Sequence, residues 1–211
     1  MKDLKLLLVI CLSVMIGGCT MFQPQKDTAV FYSIGMHSDD VPEVAEVTDR
    51  PIACINLLVD EIPSYADCPF IVTKGHGQNI IFDQNARWAS AFDDECYDFV
   101  KDYLSRMLSD SVMVVSDIHA DGNMVTCHYR LSISFDDFIY LRDKGCIVLR
   151  CDWSLYDYIK RSSVITDRTM ISVPMESWLQ DYDIIVAGMR SALEALVNDI
   201  VARSKDMIIN H

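Results

Sequence analysis

The feature that constrains the fold most is a pair of segments in which apolar and polar residues alternate. A period of two is typical of a half-buried β-strand, because successive side chains point to opposite faces of a sheet. A turn at Lys144-Gly145 separates the two segments, which predicts an antiparallel pair with one apolar face. The apolar positions are Val125, Cys127, Tyr129, Leu131, Ile133 and Phe135 in the first segment, and Ile147, Leu149, Cys151, Trp153 and Leu155 in the second.

Two other segments have the period of an amphipathic helix, with apolar residues three or four apart on one face. They lie at residues 85–108 and 183–204. The apolar positions are Trp88, Phe92, Cys96, Phe99, Tyr103 and Met107 in the first, and Val186, Met189, Leu193, Leu196, Val197 and Ile200 in the second.

Further short apolar runs predict strands at residues 29–34, 52–59, 112–116 and 163–173, and a hairpin from 70–73 and 79–82. Two long amphipathic helices must bury their apolar faces, and a sheet provides the surface for this. We therefore expect an α/β (α+β) fold: one domain over residues 29–204, with both helices packed on a mixed, largely antiparallel sheet. No internal repeat or linker divides it.

The first 19 residues resemble a lipoprotein signal peptide. Lys2 and Lys5 precede an apolar run that is too short to span a bilayer comfortably, and Ile16-Gly17-Gly18-Cys19 resembles a lipobox. We expect residues 1–18 to be removed, Cys19 to carry a diacylglycerol, residues 19–28 to form a tether, and residues 205–211 to form a tail. Thr20 follows Cys19 where an aspartate retains many lipoproteins at the inner membrane, which favours the outer membrane, with the domain facing the periplasm.

The charge of the chain excludes one class of partner. It carries 18 Lys and Arg against 31 Asp and Glu, a net charge of −13. Loss of residues 1–18 makes this about −14, and so acidic a protein lacks the positive field that nucleic acids require. Attachment to a membrane is therefore expected through the acyl chains on Cys19.

Six cysteines remain after Cys11 and Cys19 are set aside: Cys54, Cys68, Cys96, Cys127, Cys146 and Cys151. No Cys-x-x-Cys pair occurs, which argues against a zinc ribbon. Six cysteines permit fifteen connectivities. Cys127 and Cys151 share the apolar side of the predicted strand pair, so we predict a disulfide between them. The alternative, that any one of these cysteines is a buried thiol, stays open.

No catalytic motif is present, neither a nucleophile elbow, nor a zinc-protease helix, nor a phosphate loop. His119 lies near Asp117 and Asp121, but acidic turns produce this spacing by chance. The sequence therefore predicts no catalytic residues, no metal, and no cofactor besides the covalent lipid.

Two prolines bound a short segment with a candidate binding role. Pro63 and Pro69 remove two backbone donors, so the segment cannot be a central strand. We predict a rigid exposed turn in which Pro63, Tyr65, Asp67 and Phe70 dock a protein partner. The alternative is an ordinary loop whose aromatic side chains fold back onto the core.

The same region resembles a known family. Residues 59–74, VDEIPSYADCPFIVTK, are similar to the hallmark segment of the PqiC-like ABC-type transport auxiliary lipoproteins. Arg87-Trp88-Ala89, at the head of the predicted helix, and Phe31-Tyr32-Ser33-Ile34 resemble two further landmarks. Cys68 replaces a common arginine, and Ser90 and Ala91 replace an acidic residue and a proline.

The resemblance implies a non-catalytic lipoprotein of the outer membrane. Its partners would be an MCE-domain protein that bridges the periplasm for lipid transport and the associated ABC-type complex, and the family includes ring-like homo-oligomers. The competing hypothesis is a periplasmic lipoprotein that itself binds a lipid or another apolar ligand.

Overall fold

The computed structural model describes residues 27–35, 53–108, 112–115, 127–175 and 181–209. The signal peptide, Cys19 and the group around His119 lie outside these residues. Neither described helix combines the length and apolar character needed to cross a membrane.

The described residues form eight strands and two helices, arranged as one mixed sheet with the helices against it, and this confirms the predicted α/β fold class. In chain order the elements are β1 (Val30–Tyr32), β2 (Ala53–Glu61), β3 (Phe70–Lys74), β4 (Ile80–Trp88), α1 (Phe92–Leu108), β5 (Val112–Val115), β6 (Tyr129–Leu141), β7 (Cys146–Asp157), β8 (Ser162–Pro174) and α2 (Tyr182–Ile209).

Strand β6 is the centre of the sheet. One of its edges pairs antiparallel with β7, which pairs antiparallel with β8, so the alternating segments form the predicted hairpin. Its other edge is shared: β2 lies parallel to its first half, and β3 lies parallel to its last two residues. Beyond β2 lies β5, and beyond β3 lie β4 and then β1, which is an edge strand.

One face of the sheet and the two helices enclose the core. The alternation in β6 and β7 places side chains such as Leu131 and Trp153 in it, both at most 2% exposed, against Phe99 of α1 and Leu193 of α2. The indole N–H of Trp153 donates to Thr169 Oγ1 at 3.1 Å, so this buried polar group is satisfied.

The first helix begins later than the sequence predicts. Trp88 ends β4, and α1 starts only at Phe92, so Arg87 and Trp88 lie at the end of a strand and not at the head of the helix. The rings of Trp88 and Phe92 are 5.1 Å apart. The two side chains are buried on the same side of the molecule, so residues four apart in the sequence share one face although no helix contains both of them.

The predicted disulfide between Cys127 and Cys151 is wrong. Cys127 bonds Cys54, with a Cα–Cα distance of 4.5 Å, while Cys151 is a buried free thiol whose pKa is raised to about 12 by burial. The tight turn at Gly145 sets a register in which Cys151 lies opposite Phe135. Because Cys127 precedes Phe135 by eight residues, the two cysteines are separated by about 27 Å along the strand.

The observed disulfide follows from the parallel pairing of β2 with β6. The first residue pair of this ladder is Ile55 and Tyr129, so Cys54 and Cys127 both lie just before its start. The N–H of His128 donates to the Cys54 carbonyl at 2.9 Å, which continues the ladder to the disulfide.

Candidate docking groove

A groove of about 460 Å³ lies between the segment that joins β2 to β3 and the junction of β4 with α1. The first wall is formed by residues 62 and 66–69, and the second by residues 88–93. Two of the three segments that resemble the transport lipoproteins therefore meet in space, although nearly twenty residues separate them in the chain.

The segment that joins β2 to β3 passes along β6, because part of the edge of β6 that β2 and β3 share has no paired strand. Pairing with β2 ends at Ser134, and pairing with β3 begins at Tyr140. The segment passes across the interval as a turn in which the Ala66 N–H donates to the Pro63 carbonyl at 2.8 Å. At its far end, the Trp88 N–H donates to the Pro69 carbonyl at 2.9 Å and joins the two walls.

Tyr65 holds this turn onto the sheet. Its hydroxyl donates to Asp137 Oδ1 at 2.6 Å and accepts the Phe138 N–H at 2.8 Å, next to a β-bulge in β6. Arg150 binds the other oxygen of Asp137 at 2.6 Å. Burial and the hydrogen bond to Asp137 raise the pKa of Tyr65 well above its ordinary value. The prediction that Tyr65 projects from an exposed turn is therefore wrong, and the alternative of a side chain folded back holds for it.

The other three predicted docking residues are distributed around the turn. Asp67 is exposed on the rim and lines the groove. Pro63 is buried beneath the turn. Phe70 is half-buried in β3, where the Arg87 guanidinium lies 5.8 Å from the centre of its ring.

Sequence reasoning missed the residues of the second wall as site residues. Trp88 and Phe92 are buried at the floor, Ala89 and Ala91 are small and exposed, and Asp93 adds a second carboxylate to the rim. The floor is thus apolar and aromatic, and the rim is acidic. The resemblance at Arg87-Trp88-Ala89 was the signal that could have indicated this wall.

A buried carboxylate fastens the second wall to the N-terminal strand. Glu95, 6% exposed, accepts hydrogen bonds from Ser90 N–H and Oγ–H at 3.2 and 2.8 Å with one oxygen. Its other oxygen accepts from Ser33 Oγ–H at 2.7 Å and from the Ile34 N–H at 2.9 Å. Arg190 of α2 holds the same strand end by donating to the carbonyl of Ile34 at 3.1 Å.

Nothing in this arrangement has the form of a metal site. Throughout the described part of the chain, no group of three or more His, Cys, Asp or Glu side chains is placed to hold a metal ion. What the groove offers chemically is an apolar floor with acidic borders, which suits the burial of a side chain from another molecule.

Comparison with protein families decides the relationship. Residues 38–201 match the model of the ABC-type transport auxiliary lipoprotein component. The chain belongs to this family. Its groove is therefore a feature of an auxiliary transport lipoprotein, and the prediction of family membership is confirmed.

Solved structures share the fold of this auxiliary lipoprotein. A crystal structure of an uncharacterised protein has a TM-score of 0.61 at 16% identity, covering 83% of this chain and 97% of its own. A Xanthomonas campestris protein of the family DUF330 has a TM-score of 0.60 at 15% identity, covering 82% and 93%. No curated protein matches the sequence significantly.

Replacement of Tyr65 by phenylalanine tests how the turn is held. Tyr65→Phe leaves the Phe138 N–H and one oxygen of Asp137, Oδ1, without the hydroxyl that pairs with them, so we expect the free energy of unfolding to fall by about 1–3 kcal/mol in urea titrations. Tyr103→Phe is the matched control, because Tyr103 is also half-buried but its hydroxyl makes no hydrogen bond among the described residues. Equal stability of the two variants would show that the hydroxyl of Tyr65 does not hold the turn.

Proposed function

We propose that this protein is a lipid-anchored, non-catalytic subunit of an ABC/MCE-type intermembrane lipid transport system. In this proposal it docks an MCE-domain partner through the groove between residues 62–69 and 88–93. The observation that carries the proposal is that the groove is built from two segments that resemble the transport lipoproteins. Family membership supports the general role, and the partner is the proposed part.

The shape of the groove suits a protein partner. Ala89 and Ala91 leave room above the Trp88 and Phe92 side chains, so an apolar side chain of the partner can enter and lose its contact with water. The carboxylates on the rim favour a partner segment that carries basic side chains beside the apolar one.

The anchor belongs to the same proposal. Acylation of Cys19 would hold the domain at the periplasmic face of the outer membrane, at the end of a periplasmic bridge. Intact mass of the purified protein tests it, because the diacylglycerol adds a defined increment that Cys19→Ala abolishes. We further propose that the subunits associate as a homo-oligomer around the partner, which light scattering of the complex measures.

A bulky charge in the groove should prevent docking. Ala89 is exposed and lines the groove, so Ala89→Arg should fill the space without disturbing the core. We expect co-purification with the co-expressed MCE-domain partner to fall at least tenfold.

The matched control is Ser64→Arg, since Ser64 is exposed in the neighbouring turn but does not line the groove. It should co-purify as the parent does. Loss of binding in both variants, or in neither, would contradict docking at this groove, and a parent that binds no MCE-domain protein would contradict the proposed partner.

The second candidate function is direct binding of a lipid or another apolar ligand. The observation that favours it is the groove volume of about 460 Å³, which falls within the range of small-ligand sites. Native mass spectrometry of the purified protein would show a retained ligand that Ala89→Arg displaces. A parent without any bound mass would remove this candidate.

A further inference from the structure

The edge strand β1 exposes apolar side chains on both of its faces. Val30 and Phe31 are 53% and 60% exposed, although successive residues of a strand point in opposite directions. Edge strands of soluble domains are normally protected by charged residues, prolines or covering segments. The described residues place nothing of that kind over this pair.

The position of β1 in the chain indicates what covers it. This inference rests on the proposed acylation of Cys19. Ten residues, 20–29, separate that cysteine from Val30, and even fully extended they span only about 35 Å. Of the described elements, β1 is therefore the one that the anchor would hold closest, along the chain, to the lipid surface.

The charges directly beside Phe31 do not oppose such a surface, whereas the carboxylates of Asp83, Asp181 and Asp183 lie near Tyr32 at the other end of the strand. Arg87 is the cross-strand neighbour of Phe31, and its guanidinium forms an ion pair with Asp27 at 3.0 Å. This pair is neutral as a whole, in a protein with a net charge of −13. On the other side, Arg87 neighbours the half-buried Phe70 in β3, so the row across these three strands holds one ion-paired arginine between two phenylalanines.

We propose that Val30 and Phe31 of β1 insert into the interface of the phospholipid membrane that carries the acyl chains of Cys19. The membrane then covers two apolar side chains that would otherwise face water. It also orients the domain, since β1 and β8 lie at opposite edges of this part of the sheet. The β1 edge faces the lipid, and the β8 edge faces the periplasm.

The experiment must detect contact between β1 and lipid. Release of the protein from the membrane would not serve, because two acyl chains hold a protein on a membrane by themselves. The lipidated full-length F31W protein is reconstituted into vesicles of phosphatidylcholine and phosphatidylethanolamine, with or without bromine on the acyl chains. Bromine quenches tryptophan only on contact, and the signal of the parent protein is subtracted. The control is I159W, because Ile159 is 67% exposed in the β7–β8 turn, far from β1 along the sheet.

We expect brominated lipid to quench the added tryptophan of F31W at least twice as strongly as that of I159W, with V30W behaving as F31W does. Equal quenching of F31W, V30W and I159W would overturn the proposal. Blue-shifted emission without quenching would also overturn it, because it would show that a protein and not lipid covers β1. A protein mass without the diacylglycerol would refute the anchoring as well, whereas a lipidated protein with no additional quenching would refute the insertion alone.

Discussion

Loss of the Cys54–Cys127 disulfide is expected to lower the free energy of unfolding by about 4 kcal/mol. The bond closes a loop with a sequence separation of 73 residues. In the chain-entropy description, a cross-link of that span removes about 4 kcal/mol of conformational freedom from the unfolded chain. A loss of this size is a large share of the total stability of a single domain.

Urea titrations with and without a reducing agent measure this loss. The double variant Cys54→Ser, Cys127→Ser should unfold at the same urea concentration under both conditions, and the parent should match it only when reduced. The control is Cys146→Ser, which removes a half-buried free thiol and should keep the full response to reduction. A parent whose unfolding midpoint ignores the reducing agent would refute the disulfide.

Replacement of Glu95 by alanine is expected to cost about 3 kcal/mol and to release β1. The carboxylate accepts four hydrogen bonds, and bonds to charged groups are stronger than neutral ones. Of the four donors, the Ile34 N–H is the one in a fully buried residue, so it would be left unpaired away from water.

Asp94→Ala is the matched control for this variant, because it removes the same charge from the same turn of α1 at an exposed position. Urea titration gives the energy, and amide hydrogen exchange at Ile34 gives the location. Faster exchange at Ile34 in Glu95→Ala alone is the expected result. If both variants lose equal stability, the effect is that of the charge at the helix start and not that of the four hydrogen bonds.

The secondary structure was predicted best where it depends on residues that are close together in the sequence. The β6–β7 hairpin follows from strict alternation around a turn, and the apolar stripe of α2 follows from its period. The start of α1 was wrong because Trp88 and Phe92 are buried in one core from different elements, and their spacing imitates a helical turn.

Features that depend on distant segments could not be predicted in this way. The parallel pairing of β2 with β6 leaves no local pattern, so the partner of Cys127 was missed. Asp67 was predicted as a binding residue, but the residues of the second wall come near it only in the folded protein, so the sequence did not indicate them. Tyr65 was predicted to be exposed because no local pattern shows that it packs on β6. The part of β6 that it contacts is unpaired only because β2 and β3 share one edge of that strand and leave an interval between them.

The way Glu95 and Arg190 clamp the end of β1 has a mechanical consequence. In the proposed complex, where the protein is tethered by its N-terminus, tension from a partner in the groove would enter at Ala89, whose N–H donates to the Tyr32 carbonyl at 2.8 Å. A three-residue strand loaded along its axis has few hydrogen bonds to resist shear. The clamp passes that load to both helices, so the tether can be pulled without stripping β1 from the sheet.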